Sequence, residues 1–448
     1  MSIEIHRTAS LRSSMALLLL TVLAVAAASP VLAGDADELS VSPAEDVGMS
    51  TERLARIVPG MQRLIEADKI PGTVTLVARH GKVVHFEAIG SRHIGNGLPM
   101  EKDTIFRLYS QSKPVTAVAV LILFEEGHFL LTEPVAKYLP EFADLRVYLA
   151  TNDGVVETEP AEPMTIQHLL THTSGLSYDF MPTPVGRMYQ KNGVVGAAPG
   201  ARFANLEEWT QALVEMPLVA QPGTAWNYSV GLDVLGRLVE VISQQSFGEF
   251  LRERIFDPLA MVDTGFFVPD DKVERFAANY MPKPGGGLVM IEDPQSSPYR
   301  KSPALEMGGS GLVGTVADYL RFAQMLVNGG ELDGVRLLGR KTVELMMMDH
   351  LTPELPPDPL TSLFGVLGGS GRAWGMGFGL AGSVVTDAGL TGLPVSNGVY
   401  SWGGAATTHF WVDPKEDLVG IVHTQLLPDG TYPVRELMQL LTYQAIVD

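Results

Sequence analysis

The run VTAVAVLIL, Val115 to Leu123, holds no charge and only one hydroxyl. As a helix it is apolar around its whole circumference, so it has no face to give to water and must be enclosed on every side. With 448 residues and 46% hydrophobic side chains, the chain can supply that enclosure, as one large domain or two to three small ones. Pro114 sets where the helix begins. Its missing N–H costs little in a first turn, which places the start near Ser110.

The N-terminus reads as a targeting segment. Arg7 and Arg12 precede an apolar run from about Met15 to Ala28, followed by Ser29, Pro30 and the small-residue end Val31-Leu32-Ala33. This pattern predicts a secretory signal over residues 1–33, cleaved after Ala33, and an exported mature chain, periplasmic or secreted. No later segment reaches the length of a membrane-spanning helix. The formal net charge is −19, and removing residues 1–33, with two Arg and one Glu, takes it to −20. Such a surface repels nucleic acid and anionic lipid, and no basic cluster overrides it. Zero cysteines leave no disulfide framework and no thiol nucleophile.

Past the leader, Ser50 or Thr51 can cap a helix carrying Leu54, Ile57, Leu64 and Ile65 inward, with Pro59-Gly60 disturbing its middle. Gly72–Ala78 and Lys82–Gly90 read as a hairpin. Helical spacing then recurs at Val115–Glu126, Ile166–Leu170, Leu206–Val214, Val230–Ser243 and Phe247–Ile255. Long loops at Met181–Gly200, Met281–Pro303 and Leu351–Arg372 are of the length that lines sites. A Thr315-Val-Ala-Asp318 box opens a helix at Tyr319–Val327. Gly398–Trp402, Thr407–Val412 and Leu418–Thr424 read as strands, and a helix from about Pro433 to Ala445 closes the chain. The simplest assembly is α+β. One antiparallel sheet, from about 45–109 and 304–448, is flanked by the terminal helices and interrupted by a helical lobe at about 110–303, all within 34–448.

Several motifs fail. There is no G-x-S-x-G. Gly377-Phe-Gly379-Leu-Ala-Gly382 matches a dinucleotide fingerprint, but no βαβ unit surrounds it in a chain of 46 glycines, so it reads as a glycine-rich strand or loop. The ten histidines lack ligand spacing, so no metal is expected, and His168, His172, His409 and His423 read as structural.

Ser110-Gln-Ser-Lys113 is the one S-x-x-K in the chain. A serine and a lysine three apart at a helix start share one face. The serine sits among unpaired N–H groups at the positive end of the dipole, where negative charge is favoured. A lysine whose pKa is lowered by burial can take the hydroxyl proton. Tyr228, just before the helix near Val230, could relay a proton to a leaving group.

IFRLYSQSKPVTAVAV, MTIQHLLTHTSGL, PGTAWNYSVGLDVLGRLVE, GGSGLVGTVADYLRFAQML and SWGGAATTHFWVDP together resemble the serine β-lactamase-related, penicillin-recognising proteins. Within them the chain most resembles the family VIII carboxylesterases, over about 45–448 and in matching order. The resemblance implies a β-lactamase/transpeptidase-like fold with Ser110 as acylated nucleophile, Lys113 as its base and Tyr228 as proton relay. Trp402-Gly403-Gly404 falls where related enzymes carry K-T-G, which implies substrate contact there. The backbone N–H groups of Ser110 and Ala405 would form the oxyanion hole. Thr171–Leu176 and Gly308–Thr315 match family stretches too, and a helix end and a turn account for them.

Two departures bear on the substrate. Val230 stands where a Y-x-N asparagine would fall, and Trp402 replaces the K-T-G lysine, so neither can grip an amide side chain or a carboxylate. The expectation is a cofactor-free serine hydrolase of short-chain carboxylic esters. A β-lactamase or D-amino-acid peptidase, and a non-catalytic penicillin-binding-like protein, are the alternatives.

Overall fold

The computed structural model describes residues 39–194, 203–352, 355 and 375–448. The expected leader lies outside these residues, as do the end of the Met181–Gly200 loop and most of Leu351–Arg372.

Eight antiparallel strands form the main sheet, in the order Met376–Phe378, Ser383–Val385, Tyr400–Gly404, Thr408–Asp413, Leu418–His423, Gly72–Arg79, Lys82–His93, Leu98–Pro99. Both chain ends contribute, and they meet where Gly72–Arg79 pairs with Leu418–His423. The first hairpin closes through His80 and Gly81, both at positive φ, the two-residue turn that matches strand twist.

Alternate residues of the central strands feed two cores. Val74, Leu76, Phe410, Val412, Val419 and Ile421 pack with Tyr319 and Phe322 of the Val316–Val327 helix. Val77, Trp411, Leu418 and Val422 pack with Ile57, Met61 and Met438, from the helices Ile57–Glu66 and Val434–Tyr443. Covered on both faces, these strands are apolar throughout rather than alternating. This is the expected α+β plan with helices from both termini.

The Lys113–Glu125 helix has every residue from Lys113 to Leu123 buried, as its sequence demands. It packs against the Gly231–Ser243 helix. Ahead of it, Tyr109–Ser112 form a tighter 3₁₀ turn, so Ser110 stands just before the α-helix rather than within it.

Other expectations need adjustment. The first helix breaks at Ala55 and Arg56, into Thr51–Leu54 and Ile57–Glu66. The break lies upstream of Pro59, which thereby falls in a first turn where an N–H has no intrahelical partner. The Thr315 box is half formed. Thr315 Oγ1 accepts from the Asp318 N–H at 3.1 Å, but the Asp318 carboxylate turns to the Asp263 N–H and the Thr264 hydroxyl, each at 2.7 Å. Beyond Phe247–Leu251 the last helical turn widens into a π-turn at Arg252–Phe256. The supposed loops hold structure. Thr183 caps a helix at Pro184–Asn192, and Asn279–Pro282 pairs with Leu288–Glu292. The glycine-rich segment at Gly377 is indeed a strand and a turn.

Candidate active site

Ser110 is half-buried at the end of a backbone constraint. Tyr109, immediately before it, has φ 45°, a left-handed conformation that costs a non-glycine residue about 1–3 kcal/mol. The surroundings hold it there: Asn279 Nδ2 donates to the Tyr109 hydroxyl at 3.1 Å, and the buried Arg107 guanidinium donates to Glu292 at 2.9 and 2.8 Å.

Two groups converge on the Ser110 hydroxyl. The Tyr228 hydroxyl donates to Ser110 Oγ at 2.6 Å, and Lys113 Nζ donates to it at 3.1 Å. The three side chains singled out from the sequence are therefore brought together. Lys113 is completely buried, and Nζ also donates to the Tyr178 hydroxyl at 3.0 Å and the Gly309 carbonyl at 2.7 Å. It lies 4.6 Å from the centre of the Tyr228 ring. Burial lowers the lysine's pKa, and the nearby Asp233 carboxyl works against that by favouring the ammonium. Burial raises the Asp233 pKa, opposed by Lys113 and by the Gly309 N–H. Both tyrosines are held well above the usual phenol range, first by burial, so each remains a neutral O–H at ordinary pH.

Tyr228 is positioned by the segment read as a helix end. The Asn227 N–H donates to the His172 carbonyl at 2.8 Å, the Val230 N–H to the Ser177 carbonyl at 3.3 Å, and Asn227 Nδ2 to the Leu176 carbonyl at 2.5 Å. His172 bonds Ser229 at 3.1 Å and packs its ring 4.7 Å from that of Tyr228. Burial, then the charge of Lys113, pushes His172 well below the usual imidazole range, so it is a neutral support rather than a titrating base. Gly309, read as part of a turn, touches the lysine directly. Tyr178, Asp233 and Gly309 were missed from the sequence.

The Tyr400–Gly404 strand comes in against the turn that carries Ser110. A Cβ on Gly404 would lie 2.1 Å from the Leu108 carbonyl oxygen, so only glycine allows this approach. A half-buried Ala405 follows, opening a turn in which the Thr407 N–H bonds the Gly404 carbonyl at 2.9 Å. Trp402 is 8% exposed, its ring 5.8 Å from Tyr228 and 5.3 Å from Phe378. Trp226 completes this aromatic wall. Gly403 is half-buried beside Trp402.

His409 and His423 are likewise engaged, with Asp429 at 2.8 Å and Gln111 at 3.0 Å, and His168 closes a capping box with Thr165. Among the described residues no group of three or more His, Asp or Glu side chains could hold a metal ion, and no helix is long and apolar enough to cross a membrane.

The arrangement provides an accessible hydroxyl, a buried amine able to take its proton and a neutral phenol able to return one, against an apolar wall. Comparison with known proteins agrees in kind. The beta-lactamase family profile matches residues 55–443. An uncharacterised protein of Mycobacterium tuberculosis is 37% identical over 375 residues, 82% of this chain and 89% of its own. Esterase EstB of Burkholderia gladioli is 33% identical over 392 residues, 84% of this chain and 91% of its own. Among solved structures, EstCE1, a hydrolase with promiscuous acyltransferase activity, superposes with a TM-score of 0.74 at 27% identity, covering 88% of this chain and 99% of its own.

Proposed function

The chain belongs to the beta-lactamase family, and within it we propose that it is an exported serine carboxylesterase acting on short-chain esters. The observation that carries the reading is the convergence of Tyr228 and Lys113 on one hydroxyl, at 2.6 and 3.1 Å, with the lysine buried enough to lose its proton.

In this reading neutral Lys113 takes the Ser110 proton as Oγ attacks the ester carbonyl. The N–H groups of Ser110 and Ala405 hold the oxyanion, and the close approach of Gly404 to Leu108 supports that placement. Collapse breaks the bond to the alkoxy oxygen. Tyr228 gives its proton to the departing alkoxide and regains one from the Lys113 ammonium, leaving neutral amine and an acyl-Ser110 ester. Water then attacks, surrendering a proton to Lys113, and the acid leaves as Ser110 is reprotonated.

Three features favour esters over lactams or D-peptides. Trp402 stands where a cation would pair with a substrate carboxylate. Val230, buried at the start of its helix, offers no side-chain amide. Similar chains include the esterase EstB and the hydrolase EstCE1. Residues 1–33 would direct export and be removed.

The test is hydrolysis of p-nitrophenyl acetate, butyrate and octanoate beside a chromogenic cephalosporin, by the mature chain and its Ser110→Ala variant. Ester turnover that dominates and vanishes in the variant supports the proposal. Dominant cephalosporin cleavage would reassign the substrate, and ester turnover indifferent to the substitution would remove Ser110 from the mechanism.

A further inference from the structure

Gly403 and Ala405 stand on either side of Gly404, and the peptide joining Gly404 to Ala405 carries the N–H proposed as an oxyanion donor. Both neighbours are held by a pair of side chains to which the mechanism gives no part. His409 and Gly403 are register partners on adjacent strands. The imidazole lies over Gly403, where a Cβ would come within 2.2 Å of Nδ1 and 2.5 Å of Cε1. Only glycine fits there while the ring stays in place.

From its other nitrogen His409 reaches Asp429. Nε2 and Oδ1 are 2.8 Å apart, and the two side chains are 5% and 16% exposed. Burial pushes the Asp429 carboxyl up, but the charge and hydrogen bond of His409, with the charge of Arg435, outweigh it and hold the group below the usual carboxylate range. An ionised carboxylate only accepts, so His409 Nε2 carries the proton of this bond.

The Asp429 N–H in turn donates to the Ala405 carbonyl at 2.8 Å. Two more bonds lay the same turn along the same segment: the Leu426 N–H donates to the Ala406 carbonyl at 3.1 Å, and the Thr407 hydroxyl to the Leu426 carbonyl at 2.8 Å. The turn needs such support, because Thr407 holds φ at 62°, a left-handed conformation that a β-branched residue disfavours. Contacts thus run in a closed circuit from Gly403 through His409 and Asp429 to Ala405, around the peptide whose N–H faces the reaction.

We infer that His409 and Asp429 are positioning residues for the Ala405 N–H, fixing the donor that grips the oxyanion formed at Ser110. This rests on the reading of Ser110 as nucleophile and Ala405 as donor. A donor held in place for charge that develops only during reaction stabilises the transition state more than the bound ester. Loss of the pair should therefore appear in kcat rather than KM.

The test compares His409→Leu with His409→Gln in the full chain. Leucine removes the donor to Asp429, whereas the glutamine amide offers an N–H in its place. For His409→Leu, kcat on p-nitrophenyl acetate should fall roughly tenfold, the scale of one lost hydrogen bond to a charged group, with KM unchanged. His409→Gln should recover most of that loss. Two ketones read the oxyanion site directly. The carbonyl of 1,1,1-trifluoro-2-octanone adds a serine hydroxyl to give a tetrahedral oxyanion, and its affinity should weaken by the same factor of about ten in His409→Leu. The parent 2-octanone remains a ketone and should bind as before. Asp429→Asn tests the same link without an apolar replacement. It keeps an oxygen for the imidazole and loses only the charge, so kcat and trifluoro ketone affinity should fall about threefold.

Native kcat and native trifluoro ketone affinity in His409→Leu and Asp429→Asn, even beside a lowered thermal midpoint, would overturn the inference and leave the pair a structural tie. So would equal losses of affinity for the two ketones. A fault in the underlying reading shows in other variants: trifluoro ketone bound by Ser110→Ala as tightly as by the native chain would remove the nucleophile, and native affinity in Gly404→Ala would remove Ala405 as the donor.

Discussion

The backbone of Gly309 joins Lys113 to Asp233: the Gly309 carbonyl accepts from Lys113 Nζ at 2.7 Å, and the Gly309 N–H donates to Asp233 Oδ1 at 2.7 Å. Both side chains are fully buried. Burial drives the lysine toward its neutral form and the carboxyl toward its own, while each charge, when present, stabilises the other.

From this follows a pH profile. In the proposed mechanism the deprotonated amine is the reactive form, so kcat/KM should rise with pH through the lowered lysine pKa and be lost as pH falls through it. Asp233→Asn keeps an oxygen for the Gly309 N–H but removes the carboxylate that favours the ammonium. The lysine pKa should then fall further, moving the acid limb to lower pH by about one pH unit. Initial rates on p-nitrophenyl acetate across the neutral range measure it. An unmoved limb would mean that the Asp233 carboxyl is already neutral in the native protein.

Two tyrosines meet Ser110 and Lys113, and their hydrogen bonds differ. Tyr228 donates to Ser110, whereas Tyr178 accepts from Lys113. Tyr228→Phe removes the proposed proton donor to the leaving group, and kcat should fall by about 10²-fold or more. Tyr178→Phe removes one acceptor that stabilises the ammonium. It should cost kcat about tenfold, the scale of one lost hydrogen bond to a charged group, and shift the acid limb to lower pH, a shift that Tyr228→Phe need not produce. Equal losses with identical profiles would contradict this division.

Ser110 and Lys113 were legible because their geometry is local: three residues of one turn, marked by a proline and an apolar helix. Their other partners come from afar. Tyr178 lies 65 residues from Lys113 in sequence and Gly309 lies 196 away, and nothing in the types Tyr, Gly or Asp marks a contact made only by folding. Asp233, in the first turn of its helix, reads as an ordinary acid at the positive end of a helix dipole. The central strands were visible because burial on both faces makes them apolar throughout. The Arg146–Asn152 and Val155–Pro160 hairpin went unseen for the opposite reason. Its strands are largely exposed, so their apolar residues, Val147 to Ala150 and then Val155 and Val156, run consecutively instead of alternating with polar ones, leaving the Asp153-Gly154 turn, both residues at positive φ, as the clearer signal.

The Arg107–Glu292 pair lies beside the turn that carries Ser110 and should contribute to stability. Arg107 is wholly buried and the Glu292 side chain 22% exposed. Arg107→Met leaves the carboxylate without its cation and frees the Ala277 carbonyl, which the guanidinium also bonds, while the Gln425 side-chain oxygen loses the guanidinium but keeps the N–H of residue 107. A loss of about 3 kcal/mol is expected, near the low end for breaking a buried pair because Glu292 retains some solvent. Glu292→Gln keeps an acceptor for the guanidinium and should cost less, about 1–2 kcal/mol. Urea unfolding measures both, as a lower midpoint at constant slope.

Gly404 provides a test of the oxyanion hole that leaves every proposed catalytic side chain in place. A methyl group there would meet the Leu108 carbonyl oxygen at 2.1 Å and the Thr408 side-chain oxygen at 2.5 Å. The first obstacle is backbone and cannot swing aside, so in Gly404→Ala the Tyr400–Gly404 strand must draw back from the turn that carries Ser110. The adjoining Ala405 N–H moves with it, away from Ser110. If that N–H holds the oxyanion, kcat should fall by about 10²–10³-fold, as when one donor of such a pair is removed. The acid limb should stay in place, because Lys113, Asp233 and Gly309 are untouched. The pH profile therefore separates this loss from damage to the lysine, and a variant that kept wild-type kcat would show that the oxyanion is held elsewhere.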